Sequence, residues 1–146
     1  SDRNSHPHTD CSGDFAVVHN GIIENFLSLK EALIKKGHEF KSETDTEVLA
    51  HLLEELYKGD FEAAVREVLK RIDGSYALVF MSKHDPDRLI CTKKDNPLVI
   101  GLSDGENFIA SDITAILDYT RNYYLLEEDE IAIVKKEQII MIHSFL

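Results

Sequence analysis

The order of local patterns along the chain predicts an α+β fold built in layers. Three observations carry that prediction. Helical periodicity is confined to residues 22–72, short apolar strand-like runs fill the chain after residue 74, and a single strand precedes the helices. Helices and strands are thus segregated. A doubly wound parallel sheet would alternate them instead.

Each element has a local cause. Residues 1–14 carry no periodicity and read as a loop. The run 15–19 is a short apolar strand, and Asn20-Gly21 behind it is a turn signal. Ile22, Phe26, Leu29 and Leu33 then form a helical stripe, closed by Lys35, Lys36 and Gly37. Thr44 and Glu47 have the spacing of a capping box, ahead of a helix burying Val48, Leu49, Leu52, Leu53 and Leu56. Asp60 caps a third helix, with Phe61, Ala64, Val65, Val68, Leu69 and Ile72 on its inner face. Beyond Gly74, strands are expected at 76–81, 88–92, 97–102 and 107–110. Ser111-Asp112 caps a brief helix over 113–119, and strands at 122–126, 130–134 and 138–143 complete the chain.

Composition sets outer bounds. The chain has 146 residues, suited to one domain, and no repeat or linker divides it. Hydrophobic residues make up 43%, enough for a core. The net charge of −11 disfavours nucleic acid and anionic membrane surfaces as partners. No apolar run approaches the roughly 18 residues of a membrane span. The polar start, Ser1 to His6, is unlike a signal peptide, so a cytoplasmic protein is expected. Cys11 lies in a polar stretch and Cys91 in an apolar one. Neither belongs to a disulfide framework or a zinc spacing, so reduced thiols, no metal and no cofactor are expected.

Few residues are candidates for chemistry. A strand ending in Asn20-Gly21 presents a side-chain amide beside a backbone N–H that a ligand can approach closely. That pair can form an oxyanion hole, or simply a tight turn. Asp45 sits in a first helical turn, where the dipole favours a carboxylate; it could also hold a substrate ammonium. His6-Pro7-His8 is a weak metal signal, and His19 reads as structural. Ser1, with a free α-amine, could act as its own base, or simply be where the segment begins.

Seven stretches, in order, resemble one family. They are His6-Pro7-His8; Val17 to Asn25, reading Val-Val-His-Asn-Gly-Ile-Ile-Glu-Asn; Ser42 to Val48, reading Ser-Glu-Thr-Asp-Thr-Glu-Val; Gly74 to Ala77; Pro97 to Gly101; Glu106 to Asp112; and Leu126 to Ala132. Together they resemble the glutaminase domains of the glucosamine-6-phosphate synthases, also called glutamine–fructose-6-phosphate aminotransferases (isomerising). These are class II glutamine amidotransferases of the N-terminal-nucleophile hydrolase type. The resemblance implies a four-layer αββα sandwich with antiparallel sheets, incomplete at the N-terminus, and residues 1–146 as a partial glutaminase domain. It implies hydrolysis of glutamine to glutamate, with the ammonia passed to fructose 6-phosphate. Asn20 and Gly21 match the oxyanion pair. Asp45 matches the carboxylate that binds the glutamine α-ammonium, with the Gly21 carbonyl beside it. The implied partners are glutamine, a sugar-isomerising domain of the same polypeptide, and a second copy of the chain in a homodimer.

The family's N-terminal Cys nucleophile and its α-carboxylate-binding loop are not found in this sequence. Cys11 and Cys91 lack the free α-amine that would let them substitute. The 146 residues alone are therefore expected not to hydrolyse glutamine. Two other readings are open: the phosphoribosyl-diphosphate amidotransferase of purine synthesis, and a non-catalytic glutamine-binding module. Ile22-Ile23-Glu24-Asn25 and Leu126-Glu127-Glu128-Asp129 fit the sugar enzyme better than the purine one.

Overall fold

The computed structural model describes residues 8–103, 106–135 and 139–143. Ser1, His6 and Pro7, singled out above, lie outside them. The elements run β1 (His8–Thr9), β2 (Phe15–Ile23), α1 (Phe26–Lys35), α2 (Asp45–Leu56), α3 (Phe61–Arg71), β3 (Gly74–Ser82), β4 (Leu89–Lys94), β5 (Val99–Ser103), β6 (Glu106–Ala110), α4 (Ile113–Leu117), β7 (Asn122–Leu125), β8 (Glu130–Val134) and β9 (Ile139–His143).

The strands form two sheets. The larger has the order β1-β2-β3-β4-β8-β9 and the smaller β6-β5-β7. Every strand ladder within each sheet is antiparallel. Strand alternation gives the large sheet two apolar faces. Leu78, Phe80, Ile90, Ile131 and Ile133 face the helices α1–α3, where they meet Leu49, Leu53, Val65 and Val68. Ala77, Cys91, Ala132 and Val134 face the other way and meet Leu98, Ile100 and Leu126 of the small-sheet layer. On β5 the neighbour of Ile100, Gly101, turns toward Ile116 of α4. The layers therefore stack as helices, sheet, sheet, helix, matching the expected sandwich. Among the described residues no helix is long and apolar enough to cross a membrane.

Most capping works as the sequence implies. Asp60 accepts from the Ala63 N–H at 3.1 Å, and Asp112 accepts from the Thr114 N–H at 2.9 Å. Gly37 ends α1 with φ of 99°.

Four details differ. A two-residue strand, β1, lies in the stretch read as loop. Asn20-Gly21 is no turn: β2 runs through it, with Asn20 opposite Ala77 and Gly21 opposite Tyr76. A nine-residue register with β3 outweighs the local turn preference, and the helical stripe consequently starts at Phe26, leaving Ile22 on the strand and exposed. The Thr44–Glu47 capping box does not form, since Thr44 makes no side-chain cap. Glu47 is drawn elsewhere. It accepts from the Lys41 N–H at 2.7 Å and the Ser42 N–H at 2.6 Å, and lies 2.9 Å from His51 Nε2. Burial raises the Glu47 pKa, but the hydrogen bonds from His51, Ser42 and Lys41 outweigh it and hold the carboxyl below its ordinary range. Finally, Leu56 is only partly buried.

Candidate active site at the Asn20–Gly21 strand

The far end of β2 carries the site residues, and the strand's alternation decides which way each one looks. Phe15, Val17, His19 and Ile23 are buried on one side, while Val18, Asn20 and Ile22 are exposed. Asn20 thus projects away from the main core. It lines a cleft of 440 Å³ that Val18, Val79, Leu98, Ile109 and Ser111 also line.

Gly21 is fixed by sterics as well as by conformation. Its φ is +114°, in the region that side-chain-bearing residues avoid. A Cβ there would also overlap the Ser75 carbonyl oxygen and the Asn96 side-chain nitrogen. Asn96 Nδ2 donates to the Asn20 carbonyl at 3.1 Å. The backbone at Asn20-Gly21 is therefore held both by pairing with β3 and by the Asn96 amide. Asn96 itself follows Asp95, a residue at positive φ whose N–H donates to Glu128 Oε1 at 3.0 Å.

Asp45 arrives from α2. Its Oδ2 accepts from the Ile23 N–H at 2.8 Å, two residues beyond Gly21. Its Oδ1 lies 3.7 Å from His19 Nδ1, and that same nitrogen is 3.0 Å from Thr46 Oγ1. Helix α2 is anchored a second time where Thr44 Oγ1 meets His8 Nε2 at 3.1 Å. The structure thus gathers Asn20, Gly21 and Asp45 at one end of β2. Asn96 and Thr46 belong to the same setting without having been marked by the sequence. Only an amide-bearing residue after the strand at 89–94 could have hinted at Asn96.

The two thiols lie apart from this corner. Cys91 sits in the inter-sheet core opposite Val79 and Ala132, and burial pushes its pKa up to about 12. Cys11 lies against His38 and His51. Among the described residues, neither thiol lines the 440 Å³ cleft on Asn20.

Comparison with known proteins shows the family. Residues 1–118 match the family described as glutamine amidotransferase domain. The chain is 58% identical to a glutamine–fructose-6-phosphate aminotransferase [isomerizing] of Caldanaerobacter subterraneus subsp. tengcongensis, over 99% of this chain and 24% of that protein. It is 54% identical to the protein of the same name from Aquifex aeolicus, over 90% of this chain and 22% of that one. The chain thus spans about a quarter of the length of these curated relatives. Among solved structures, the glutamine phosphoribosylpyrophosphate amidotransferase from B. subtilis, complexed with ADP and GMP, superposes with a TM-score of 0.79 at 28% identity. That match covers 97% of this chain and 32% of that one.

Proposed function

The chain belongs to the glutamine amidotransferase domain family, and from that premise we propose that it forms the glutamine-hydrolysing part of a glutamine–fructose-6-phosphate aminotransferase. One observation carries the proposal: Asn20 and Gly21 adjoin near the end of β2, where Asp45 accepts from the Ile23 N–H two residues further on, and Gly21 is sterically barred from carrying a side chain.

The chemistry divides among them. A thiol attacks the side-chain amide carbon of glutamine, and the carbonyl oxygen becomes an oxyanion. The Asn20 side-chain N–H and the Gly21 N–H donate to that oxygen where charge develops. Ammonia leaves, and water hydrolyses the thioester to glutamate. Asp45 binds the α-ammonium with the Gly21 carbonyl beside it, orienting the amide for attack. The attacking thiol is the family's N-terminal Cys. Cys91 is unsuited because it is buried and protonated, and Cys11 because it lies elsewhere.

Fructose 6-phosphate as the ammonia acceptor is favoured over phosphoribosyl diphosphate by identity. The curated relatives reach 58%, against 28% for the phosphoribosylpyrophosphate amidotransferase structure. A sugar-isomerising domain on the same polypeptide, a homodimeric assembly and a cytoplasmic location complete the proposal. The test uses the full-length protein with saturating glutamine and either acceptor. Glutamate release with amination of fructose 6-phosphate is the expected result. Amination of phosphoribosyl diphosphate alone, or glutamine binding without glutamate release, overturns it.

A further inference from the structure

Away from Asn20 and Gly21, a second constellation has no part in the proposed glutamine chemistry. Cys11 follows β1, His38 follows α1, and His51 and Glu54 sit one turn apart on α2. One donor atom from each lies within 4.8 Å of all the others. Cys11 Sγ is 3.4 Å from His51 Nδ1 and 3.9 Å from His38 Nδ1. The two Nδ1 atoms are 3.2 Å apart, and Glu54 Oε1 is 2.9 Å from His38 Nδ1.

The opposite edges of both rings are already engaged. His51 Nε2 lies 2.9 Å from Glu47 and His38 Nε2 lies 2.8 Å from Glu55. A carboxylate accepts only, so each Nε2 carries the proton and donates it. In the neutral ring that leaves Nδ1 with its lone pair bare. Two bare imidazole nitrogens, a sulfur and a carboxylate oxygen then point at one another, and both histidines are at least nine-tenths buried. Histidine ligands of metals show this same arrangement, with the far nitrogen donating to a carboxylate that fixes tautomer and ring orientation.

We propose that Cys11, His38, His51 and Glu54 form a zinc site. Sulfur, imidazole and carboxylate are the donors Zn²⁺ takes in tetrahedral sites. Bond lengths of about 2.0–2.3 Å place such donors roughly 3.3–3.6 Å apart. The Cys11–His51 and His38–His51 separations of 3.4 and 3.2 Å lie near that range, and those of 2.9 and 3.9 Å fall on either side of it. Binding breaks the Cys11 S–H bond and releases its proton to solvent. The thiolate and the Glu54 carboxylate together then balance the charge of the ion. Cys11 is exposed, so the site opens to solvent on one side. The ion would join the turn after β1, the segment after α1 and the middle of α2. Helix α2 begins with Asp45, so the clip fixes the rod that carries the ammonium-binding carboxylate, whether or not the glutaminase reading holds.

A metal-free alternative is a doubly protonated His38 donating to both Glu54 and Glu55, with the thiol donating to His51. The two differ in metal stoichiometry. The full-length protein should be freed of metal with a chelator, titrated with Zn²⁺ and, separately, with Co²⁺. Expected are one tight Zn²⁺ per chain absent from Cys11→Ser, and a thiolate-to-Co²⁺ charge-transfer band lost in Cys11→Ser but kept in Cys91→Ser. Glu55→Gln, which meets the cluster at the far nitrogen of His38 and otherwise pairs with Lys36 at the surface, should weaken binding by about 10–100-fold. Equal metal content in wild type and Cys11→Ser, or no sulfur-to-cobalt band, overturns the proposal in favour of the proton-only network.

Discussion

The two sides of strand β2 teach different lessons. On the helix side, Phe15, Val17, His19 and Ile23 are sealed under α1–α3. On the other side, Val18, Asn20 and Ile22 stay open one residue away. The same backbone thus serves the core on one face and presents a side-chain amide to the cleft on the other. Damage to the first face should appear as lost stability, and damage to the second as lost chemistry.

The largest effect belongs to the sealed face. Phe80, opposite Val17 on β3 and fully buried, anchors the helix-side core. Phe80→Ala should cost about 3–5 kcal/mol of unfolding free energy, read from denaturant midpoints. A loss under about 1 kcal/mol would mean that the core repacks and the two faces are not so distinct.

Asn20→Ala should do the reverse in the full-length enzyme. Removal of one oxyanion donor typically lowers kcat by about 10²–10³. The side chain is exposed, so stability should move by no more than about 0.5 kcal/mol. Equal losses of kcat and melting temperature would place Asn20 among the structural residues instead.

A smaller, differently shaped effect is expected at Asp45, which touches both worlds. The substrate ammonium is present in ground and transition states alike, so Asp45→Asn should raise KM and leave kcat largely unchanged. Since Asp45 also accepts from the Ile23 N–H, about 1 kcal/mol of stability should go with it. A strong fall in kcat at constant KM would sink the ammonium assignment.

The smallest expected effect is none at all. The Cys91 thiol, buried and with its pKa raised to about 12, should resist alkylation at neutral pH until the protein unfolds. Cys11, exposed, should react before Cys91 in metal-free protein. Labelling by mass spectrometry in native buffer and in denaturant checks both. Native labelling of Cys91 would show that the inter-sheet core opens readily.

The sequence made the layers legible because apolar periodicity differs between helix and strand. The apolar run predicts the strand Glu130–Val134 to the residue, and the buried positions of α3 all stand where the stripe puts them. Local chemistry misled where tertiary partners were stronger. Asn20-Gly21 read as a turn because the dipeptide favours one, but β3 imposed extended pairing through it. Glu47 read as a capping residue because of its spacing from Thr44, yet two backbone donors and His51 claimed its carboxylate. At the candidate site, Asn20, Gly21 and Asp45 stand out only through the family resemblance, since by residue type alone they fit a turn and a first-turn carboxylate equally. Asn96 was not, because it reaches Asn20 from 76 residues away in sequence. The group at 11, 38, 51 and 54 was hidden for the same reason. Only His51 and Glu54 share a helix, and two residues at that spacing are too common to notice.

The glycines in the β2–β3 pair have one more effect, on how the chain finds its fold. Gly74 lies opposite Ile23 at φ +143°, and a Cβ on it would overlap the Ile22 carbonyl oxygen. Gly21 meets Ser75 just as closely. The two strands thus touch backbone to backbone at two points, and each point admits only hydrogen in place of a side chain. Sliding β2 by two residues would keep the inside-outside alternation intact, which usually makes such slips tempting. Here it would push a side chain into at least one of those contacts. The pairing behaves like a key with two notches: a single alignment closes, and near misses clash backbone against side chain. Gly74→Ala should blunt one notch, and slow, heterogeneous refolding is the sign to look for.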